Sequence, residues 1–232
     1  MHTYSVMHVR DRGILIQAAE KGDAGFVRTL IAAGAPVDEK SPRLGMTPLH
    51  TSAVAGSWEV STLLLEARAD IESREFNGMT PLHCAALHGN AQVAQLLIDH
   101  RANRDAVGND GTRPLHLAAQ DGRGLIVRLL VTAGCNVDAQ QTNGWTPLHW
   151  AASNDKVDIA FLLLEAGANC GILDASGLTP LDVATQRGNH AVARVLGEAL
   201  LRGEAPVQAQ NRDKGFLKGL EPSEIALGLG LM

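Results

Sequence analysis

The chain is poor in aromatic residues and in cysteine, and both shortages limit what it can be. Phe, Trp and Tyr together make up 3% of the 232 residues, so a core has to be built from Leu, Ala, Val and Ile. The three cysteines, Cys84, Cys135 and Cys170, form no Cys-x-x-Cys pair, and this odd, sparse count does not describe a disulfide framework. Buried free thiols in a reducing compartment are therefore expected.

Long apolar runs and dense basic clusters are also missing. No window approaches the roughly 18 apolar residues of a membrane span, and residues 1–10 lack the cationic start and apolar run of a signal peptide. The net charge is −5 with acids and bases interspersed, whereas nucleic-acid binding needs a basic stripe. These features predict an intracellular, soluble protein, cytoplasmic or nuclear, whose partners are neither membrane nor nucleic acid.

What the chain does contain is a repeat. Five glycines recur every 33 residues, and each opens a phrase close to Gly-Met-Thr-Pro-Leu-His, at 45–50, 78–83, 111–116, 144–149 and 177–182. A pair of small residues follows each phrase, and then an apolar run such as Leu63–Leu65. Internal periods of 20–50 residues indicate repeat architectures, so this period is the strongest evidence on the fold that the sequence contains.

The period of 33 with Thr-Pro-Leu-His-x-Ala-Ala resembles the ankyrin repeat, over about residues 11–202. The resemblance implies an all-α repeat solenoid of stacked helix–turn–helix units with β-hairpin loops, about six repeats in all. The predicted repeats cover residues 11–44, 45–77, 78–110, 111–143, 144–176 and 177–202, between an N-terminal extension (1–10) and a C-terminal tail (203–232). The first and last repeats are degenerate, as terminal units that face water usually are.

One repeat shows how its residues specify the fold. Thr47 can cap a helix, and Pro48 suits the first helical position, where no backbone N–H is needed. Gly56 can end that helix in the left-handed conformation. Val60, Leu63 and Leu64 then predict a second helix by their spacing.

Several positions depart from the repeat. Arg68 and Arg101 stand where Gly34, Gly134 and Gly167 stand in sister repeats, so we expect a left-handed arginine at both. Arg113 replaces the capping threonine, and Asp155 replaces a helix-ending glycine.

Four histidines, His50, His83, His116 and His149, suggest a metal site at first sight. Packed helices lie about 8–10 Å apart, whereas zinc needs nitrogens about 2.0–2.1 Å from one ion. We therefore expect no metal site. Each histidine should instead be buried and bonded to a nearby threonine hydroxyl or to backbone.

No catalytic site is expected either. The chain has no Gly-rich phosphate loop, His-Glu-x-x-His or Gly-x-Ser-x-Gly motif. Cys84 follows a repeat histidine, but its equivalents in the other repeats are Thr51, Leu117, Trp150 and Val183, which indicates packing rather than a nucleophile. The sequence predicts a protein that is not an enzyme and has no cofactor.

The resemblance implies that hairpin tips and the exposed edges of the first helices form a concave surface that binds a partner protein. Bulky apolar residues there favour binding, since aromatics and Met are enriched at interfaces. Local packing of Phe76 and Met79 within the hairpin is the alternative. The predicted partner-binding residues are Met46, Phe76, Met79, Leu87, His88, Thr112, Trp145, Ser153, Asn154 and Leu178.

Trp145 and Trp150 also resemble the methyl-lysine cage in ankyrin domains of certain histone lysine methyltransferases. Ser153 stands where that cage has an acid, and Val183 where it has a further tryptophan. A methyl-lysine reader is thus a remote alternative, and Trp150 is expected to pack between repeats.

The tail regains apolar character from Phe216 onward. It could fold back over the last repeat or serve as a docking peptide. The leading prediction for the whole chain is a monomeric scaffold or adaptor that binds a protein of unknown identity. A regulatory inhibitor or accessory subunit of an enzyme is the second hypothesis, because a fold constrains surface shape and not the partner.

Overall fold

The computed structural model describes residues 13–202, which form twelve α-helices in six helix–turn–helix pairs. No residue of this range lies in a β-strand, and none of these helices is long and apolar enough to cross a bilayer. The helices are α1 Ile14–Glu20, α2 Ala24–Ala32, α3 Pro48–Ala55, α4 Trp58–Glu66, α5 Pro81–His88, α6 Ala91–Asp99, α7 Pro114–Gln120, α8 Gly124–Thr132, α9 Pro147–Ser153, α10 Val157–Glu165, α11 Pro180–Arg187 and α12 His190–Leu201.

The predicted all-α repeat solenoid is confirmed. The exact boundaries of the six repeats stay a prediction, and the proposed N-terminal extension (1–10) and C-terminal tail (203–232) lie outside the described residues. Within 13–202, each predicted repeat contributes one helix pair.

The helices stack in two rows. Odd-numbered helices contact one another in sequence and form what we term the inner row, while even-numbered helices form the outer row. Alanine pairs such as Ala118 and Ala119 are fully buried in the inner row, and leucines such as Leu64 and Leu97 are fully buried in the outer row. Because alanine side chains are so short, neighbouring inner helices can approach closely, and the leucines fill the space between the rows.

The start of each inner helix is set by its Thr-Pro pair. Proline occupies the first turn of α3, α5, α7, α9 and α11, after an extended residue that is threonine in all but one. At α9 and α11 the hydroxyls of Thr146 and Thr179 accept a backbone N–H from the third helical residue, at 3.4 and 3.1 Å. These bonds satisfy a donor that the helix itself leaves without a partner.

The repeat histidines join each unit to the next. Nδ1 of His50 accepts the backbone N–H of Thr47 at 3.2 Å and lies 2.8 Å from its hydroxyl, while Nε2 lies 3.0 Å from the carbonyl oxygen of Met79 in the following repeat. His83, His116 and His149 repeat the pattern, with Nε2 against the carbonyls of Thr112, Trp145 and Leu178. Nε2 of His116 lies 3.2 Å from the Trp145 carbonyl and also 2.9 Å from the Ala139 carbonyl of its own repeat. Each histidine thus fixes a helix start and the next hairpin together, as a neutral ring with its proton on Nε2.

Two departures from this bridge have a physical reason. Arg113 lacks the hydroxyl, but its backbone N–H still donates to Nδ1 of His116 at 3.1 Å, so the backbone half of the cap survives. In the last pair, Asp182 replaces histidine, and its carboxylate accepts both the N–H and the hydroxyl of Thr179 at 2.8 Å. No further hairpin follows within the described residues, so a side chain that caps without reaching onward is sufficient there.

The loops between repeats are turns rather than paired strands. In each loop two backbone bonds close a single turn, as from Gln141 N–H to the Trp145 carbonyl and from Gly144 N–H to the Gln141 carbonyl, both at 2.9 Å. A further bond ties neighbouring tips, as from Ala175 N–H to the Asn143 carbonyl at 3.0 Å. Bonds confined to one turn make no ladder between strands, which is why the expected β-hairpins have no strand residues within 13–202.

The glycine that opens each repeat phrase makes this close contact possible. Gly144 has φ 81°, and a Cβ on it would lie 2.6 Å from the backbone nitrogen of Ala175 in the next loop. A side chain there would be strained and would also push the next tip away.

The predicted left-handed arginines are confirmed. Arg68 and Arg101 have φ 64° and 66°, and Asp155, which replaces a glycine, has φ 51°. Among residues 13–202 these are the non-glycine residues with positive φ. Asp tolerates this conformation better than arginine because its short side chain can bond locally.

Replacing these arginines by glycine should therefore stabilise the fold. Arg68→Gly and Arg101→Gly are each expected to raise the free energy of unfolding by about 1 kcal/mol, measured by denaturant unfolding. The reverse change, Gly167→Arg, is the matched control: Gly167 has φ 84° and open space around it, so it should lower stability by a similar amount. Unchanged stability in all three variants would contradict the argument from backbone strain.

Acid should weaken the histidine bridges. Burial lowers the pKa of His83 and His116 to about 4, and it also lowers the pKa of His50 and His149. Between about pH 6.5 and 4 the unfolded chain binds protons that the folded chain rejects at His83 and His116, so each of these two should lower the free energy of unfolding by up to ~1.4 kcal/mol for each unit that the pH falls. Above about pH 6.5 the effect vanishes.

This dependence can be measured by urea unfolding at several pH values between 7 and 4.5. His83→Asn should lower stability overall but make its loss with falling pH less steep. If the free energy of unfolding falls equally steeply with falling pH in wild type and in His83→Asn, then His83 binds protons alike in the folded and the unfolded chain.

Candidate partner-binding surface

An apolar pair of side chains projects from the tips of two neighbouring loops. Phe76 is 61% exposed and Leu44 is 53% exposed, and the Phe76 N–H donates to the Leu44 carbonyl at 3.0 Å. The Phe76 ring lies over Gly45, where a Cβ would be 2.6 Å from its Cδ1. We term Leu44 and Phe76 the tip patch: its backbone is fixed, and its apolar surface faces solvent.

The other apolar residues predicted for the surface are half-buried. Met46 packs against the core cluster, while the carbonyls of Met79 and Leu178 accept the histidine bridges. The Leu87 carbonyl accepts Nε of Arg123 at 3.2 Å. The backbones of Met79, Leu87 and Leu178 are therefore held by contacts between repeats, and each of the four residues offers only part of its side chain to a partner.

The predicted polar residues lie along the ends of the inner helices. His88 is exposed, and its Nδ1 lies 3.0 Å from the Cys84 carbonyl. Asn154 is exposed and donates to the Gln120 carbonyl at 3.3 Å, while Ser153 beside it is half-buried. Thr112 is only 5% exposed and accepts a hydrogen bond from Gln141, so its side chain offers little surface to a partner.

Trp145 is built into the junction between two repeats. Its indole N–H donates to the Asp174 carboxylate at 3.1 Å. Its ring stacks on the His149 ring with 6.2 Å between the ring centroids. It also contacts Trp150 edge to face, with 4.6 Å between the centroids of the two indoles. Trp145 is half-buried. These contacts give it a packing role that its sequence position alone did not reveal.

The tryptophan pair does not have the form of a methyl-lysine cage. A cage holds a cation over open aromatic faces, whereas here the two rings fill the space between them. The indole N–H of Trp150 donates to Gln141 at 2.6 Å, and Val183, where a further tryptophan is expected, is buried. The geometry favours packing between repeats for both tryptophans, as expected for Trp150.

Two of the buried cysteines are held in the thiol form, which is the less reactive one. Burial raises the pKa of the Cys84 thiol to about 12 and that of Cys135 to about 11, the opposite of the shift that makes a cysteine reactive. Within residues 13–202 no three His, Cys, Asp or Glu side chains come together in a way that could hold a metal ion.

The prediction missed a second group of exposed apolar residues, on the outer row. Trp58, Leu125 and Phe161 lie on α4, α8 and α10 and are 50%, 70% and 47% exposed. An alignment of the repeats could have found them, since Ala91 and Val157 stand at the position of Trp58, and Glu59 and Asp158 at the position of Leu125.

Trp145 should matter for stability. Trp145→Ala removes the bond to Asp174 and the contacts with His149 and Trp150, so the free energy of unfolding should fall by ~2–3 kcal/mol. Trp58→Ala, at a more exposed tryptophan, is the control and should cost less than ~1 kcal/mol. If thermal unfolding shows Trp145→Ala to be as stable as wild type, the packing role assigned to Trp145 is wrong.

Comparison with known proteins finds similarity in one stretch of the chain. Over 69 residues, 30% of this chain, it is 38% identical to the 2-5A-dependent ribonuclease of Mus musculus. The match covers 9% of that protein, so the chain spans less than a tenth of its length and the ribonuclease activity is a property of that relative.

Models of ankyrin repeats match most of the described residues. A model of three ankyrin repeat copies matches residues 68–141 and 115–204, and a model of a single ankyrin repeat matches residues 44–75. Together with the stacked helix pairs and the histidine bridges, these matches show that the chain belongs to the ankyrin repeat family.

Proposed function

We propose that this chain is a scaffold or adaptor that binds a partner protein through the face formed by its loop tips and inner helices, with Phe76 as the main anchor. Ankyrin repeats are in general protein-interaction modules. The observation that carries the proposal is the exposure of Phe76, because an aromatic ring 61% exposed at a loop tip has little role in burying a core.

The setting of Phe76 suits an anchor. Its backbone is bonded to the neighbouring tip and its ring rests on Gly45, so little freedom is lost when a partner covers it. Preorganised side chains bind more tightly because less entropy is lost on association. Leu44 enlarges the apolar surface, and Met46, Met79 and Leu87 can border it with their exposed parts.

The polar residues would form the rim. His88, Ser153 and Asn154 lie at the ends of inner helices, where they can exchange hydrogen bonds with a partner or with water. Trp145 and Leu178 would hold the shape of the last junctions and add partial contacts. Thr112 is left out because it is buried.

Substituting Phe76 should weaken binding without unfolding the protein. Phe76→Ser is expected to raise the Kd for the main partner about thirtyfold, equivalent to about 2 kcal/mol. The partner is first captured from cell extract with wild-type chain and quantified by mass spectrometry. Its affinity is then measured with purified proteins by titration calorimetry.

Leu125→Ser is the matched control, since it removes an equally exposed apolar side chain from the outer row. It should leave the Kd for this partner unchanged, and both variants should unfold within ~0.5 kcal/mol of wild type. Equal affinity of wild type and Phe76→Ser would remove the tip patch from the site.

The stoichiometry of the complex separates the adaptor hypothesis from the inhibitor hypothesis: an adaptor holds two proteins at once, whereas an inhibitor holds one and abolishes its activity.

A further inference from the structure

The outer row carries a groove of about 730 Å³ between α4, α6 and α8. Trp58 borders it on one side, Leu125 and Leu129 on the other, and Gln92, Gln95 and Leu96 lie between. Ala91 lines the groove at the position that Trp58 occupies one repeat earlier, and its short side chain leaves a hollow beside the tryptophan.

This groove leaves large apolar side chains facing water. Trp58 is 50% exposed and Leu125 is 70% exposed, although neither position requires an apolar residue in sister repeats. Apolar side chains grouped around a concavity usually mark a binding surface rather than chance exposure.

The same chain contains a segment of matching chemistry after α12. In the sequence Ile-Ala-Leu-Gly-Leu-Gly-Leu (225–231), every second residue is large and apolar, and the residues between are alanine or glycine. Alternation of this kind places Ile225, Leu227, Leu229 and Leu231 on one face of an extended segment. The small residues between them would let the segment lie close to another surface.

We propose that residues 225–231 of this chain occupy the groove between α4, α6 and α8. The lengths agree: seven extended residues span roughly 20 Å, and three adjacent helices about 8–10 Å apart span a similar width. Trp58 and Leu125 would then cover opposite ends of the segment, and its leucines would meet Leu96 and Leu129.

The connection is long enough. From Arg202, at the end of α12, to Ile225 the chain has 23 residues, which reach up to about 75 Å when extended. The groove lies two to four helices away along the outer row, a distance of about 20–40 Å.

The tether favours the chain's own segment over a separate molecule. A segment joined by a linker that comfortably spans the gap has an effective concentration near the millimolar range. A second copy or another protein would have to compete with that concentration at every encounter. The site is independent of the tip patch, so the two proposals can fail separately.

Photo-crosslinking in the full-length chain tests the proposal. A diazirine amino acid at Gln95, in the centre of the groove, is irradiated in the monomeric protein, and the linked peptides are identified by mass spectrometry. The expected product is an intramolecular link to residues 225–231. The same amino acid at Arg28, the equivalent exposed position of α2, is the control and should give no such link.

Two variants sharpen the test. Leu227→Ser with Leu229→Ser should lower the yield of the link at least about tenfold, because two apolar groups lose their burial. Leu125→Ser should also lower the yield of the link, because it removes an apolar side chain from the groove itself. The fold should be retained, since Leu125 is 70% exposed. Absence of a link from Gln95 to residues 225–231, or equal yield in the variants, would overturn the proposal. Links between isotopically distinct chains in a mixed sample would assign the groove to a second copy instead.

Discussion

The stack of repeats depends on one interaction, the histidine bridge. A single imidazole accepts the N–H at the start of its own inner helix and lies in hydrogen-bonding contact with a carbonyl of the next loop. It therefore couples the local conformation of one unit to the placement of its neighbour. Because burial keeps the ring neutral, both nitrogens keep complementary roles, one as acceptor and one as donor. His50, His83, His116 and His149 supply this link at four of the five junctions between the six repeats, while Ile16 stands at the equivalent position of the first repeat.

The close approach of the loops follows from that coupling. Once the bridge draws a loop against the preceding unit, residues such as Gly144 have no room for a side chain, and neighbouring tips become bonded to each other. Acidic side chains add a second link: the Asp138 carboxylate accepts the Asn169 N–H at 2.8 Å, and Asp105 accepts that of Asn136 at 3.1 Å. At the loop that carries Phe76, the corresponding links are the His50 bridge to the Met79 carbonyl and the Asp38 carboxylate, which accepts the Asp70 N–H at 2.9 Å.

Trp145 and Phe76 show what a sequence pattern can and cannot predict about a site. Both occupy loop positions that the fold does not require to be aromatic, so sequence alone favoured both as contacts for a partner. In the structure Phe76 faces solvent beside Leu44, while Trp145 donates to Asp174, 29 residues further along the chain. The difference lies in the following repeat, which places a carboxylate beside one ring and not the other.

The sequence by itself determined the repeat length, the helix pairs, the left-handed positions of Arg68 and Arg101 and the capping role of the histidines. Each of these follows from local chemistry that recurs every 33 residues. Only the tertiary structure decided which apolar side chains remain exposed, that Thr112 is buried, and that Trp58, Ala91 and Leu125 line one groove. Exposure is set by what neighbouring repeats place against a residue, and that information is spread over positions that are distant in the chain.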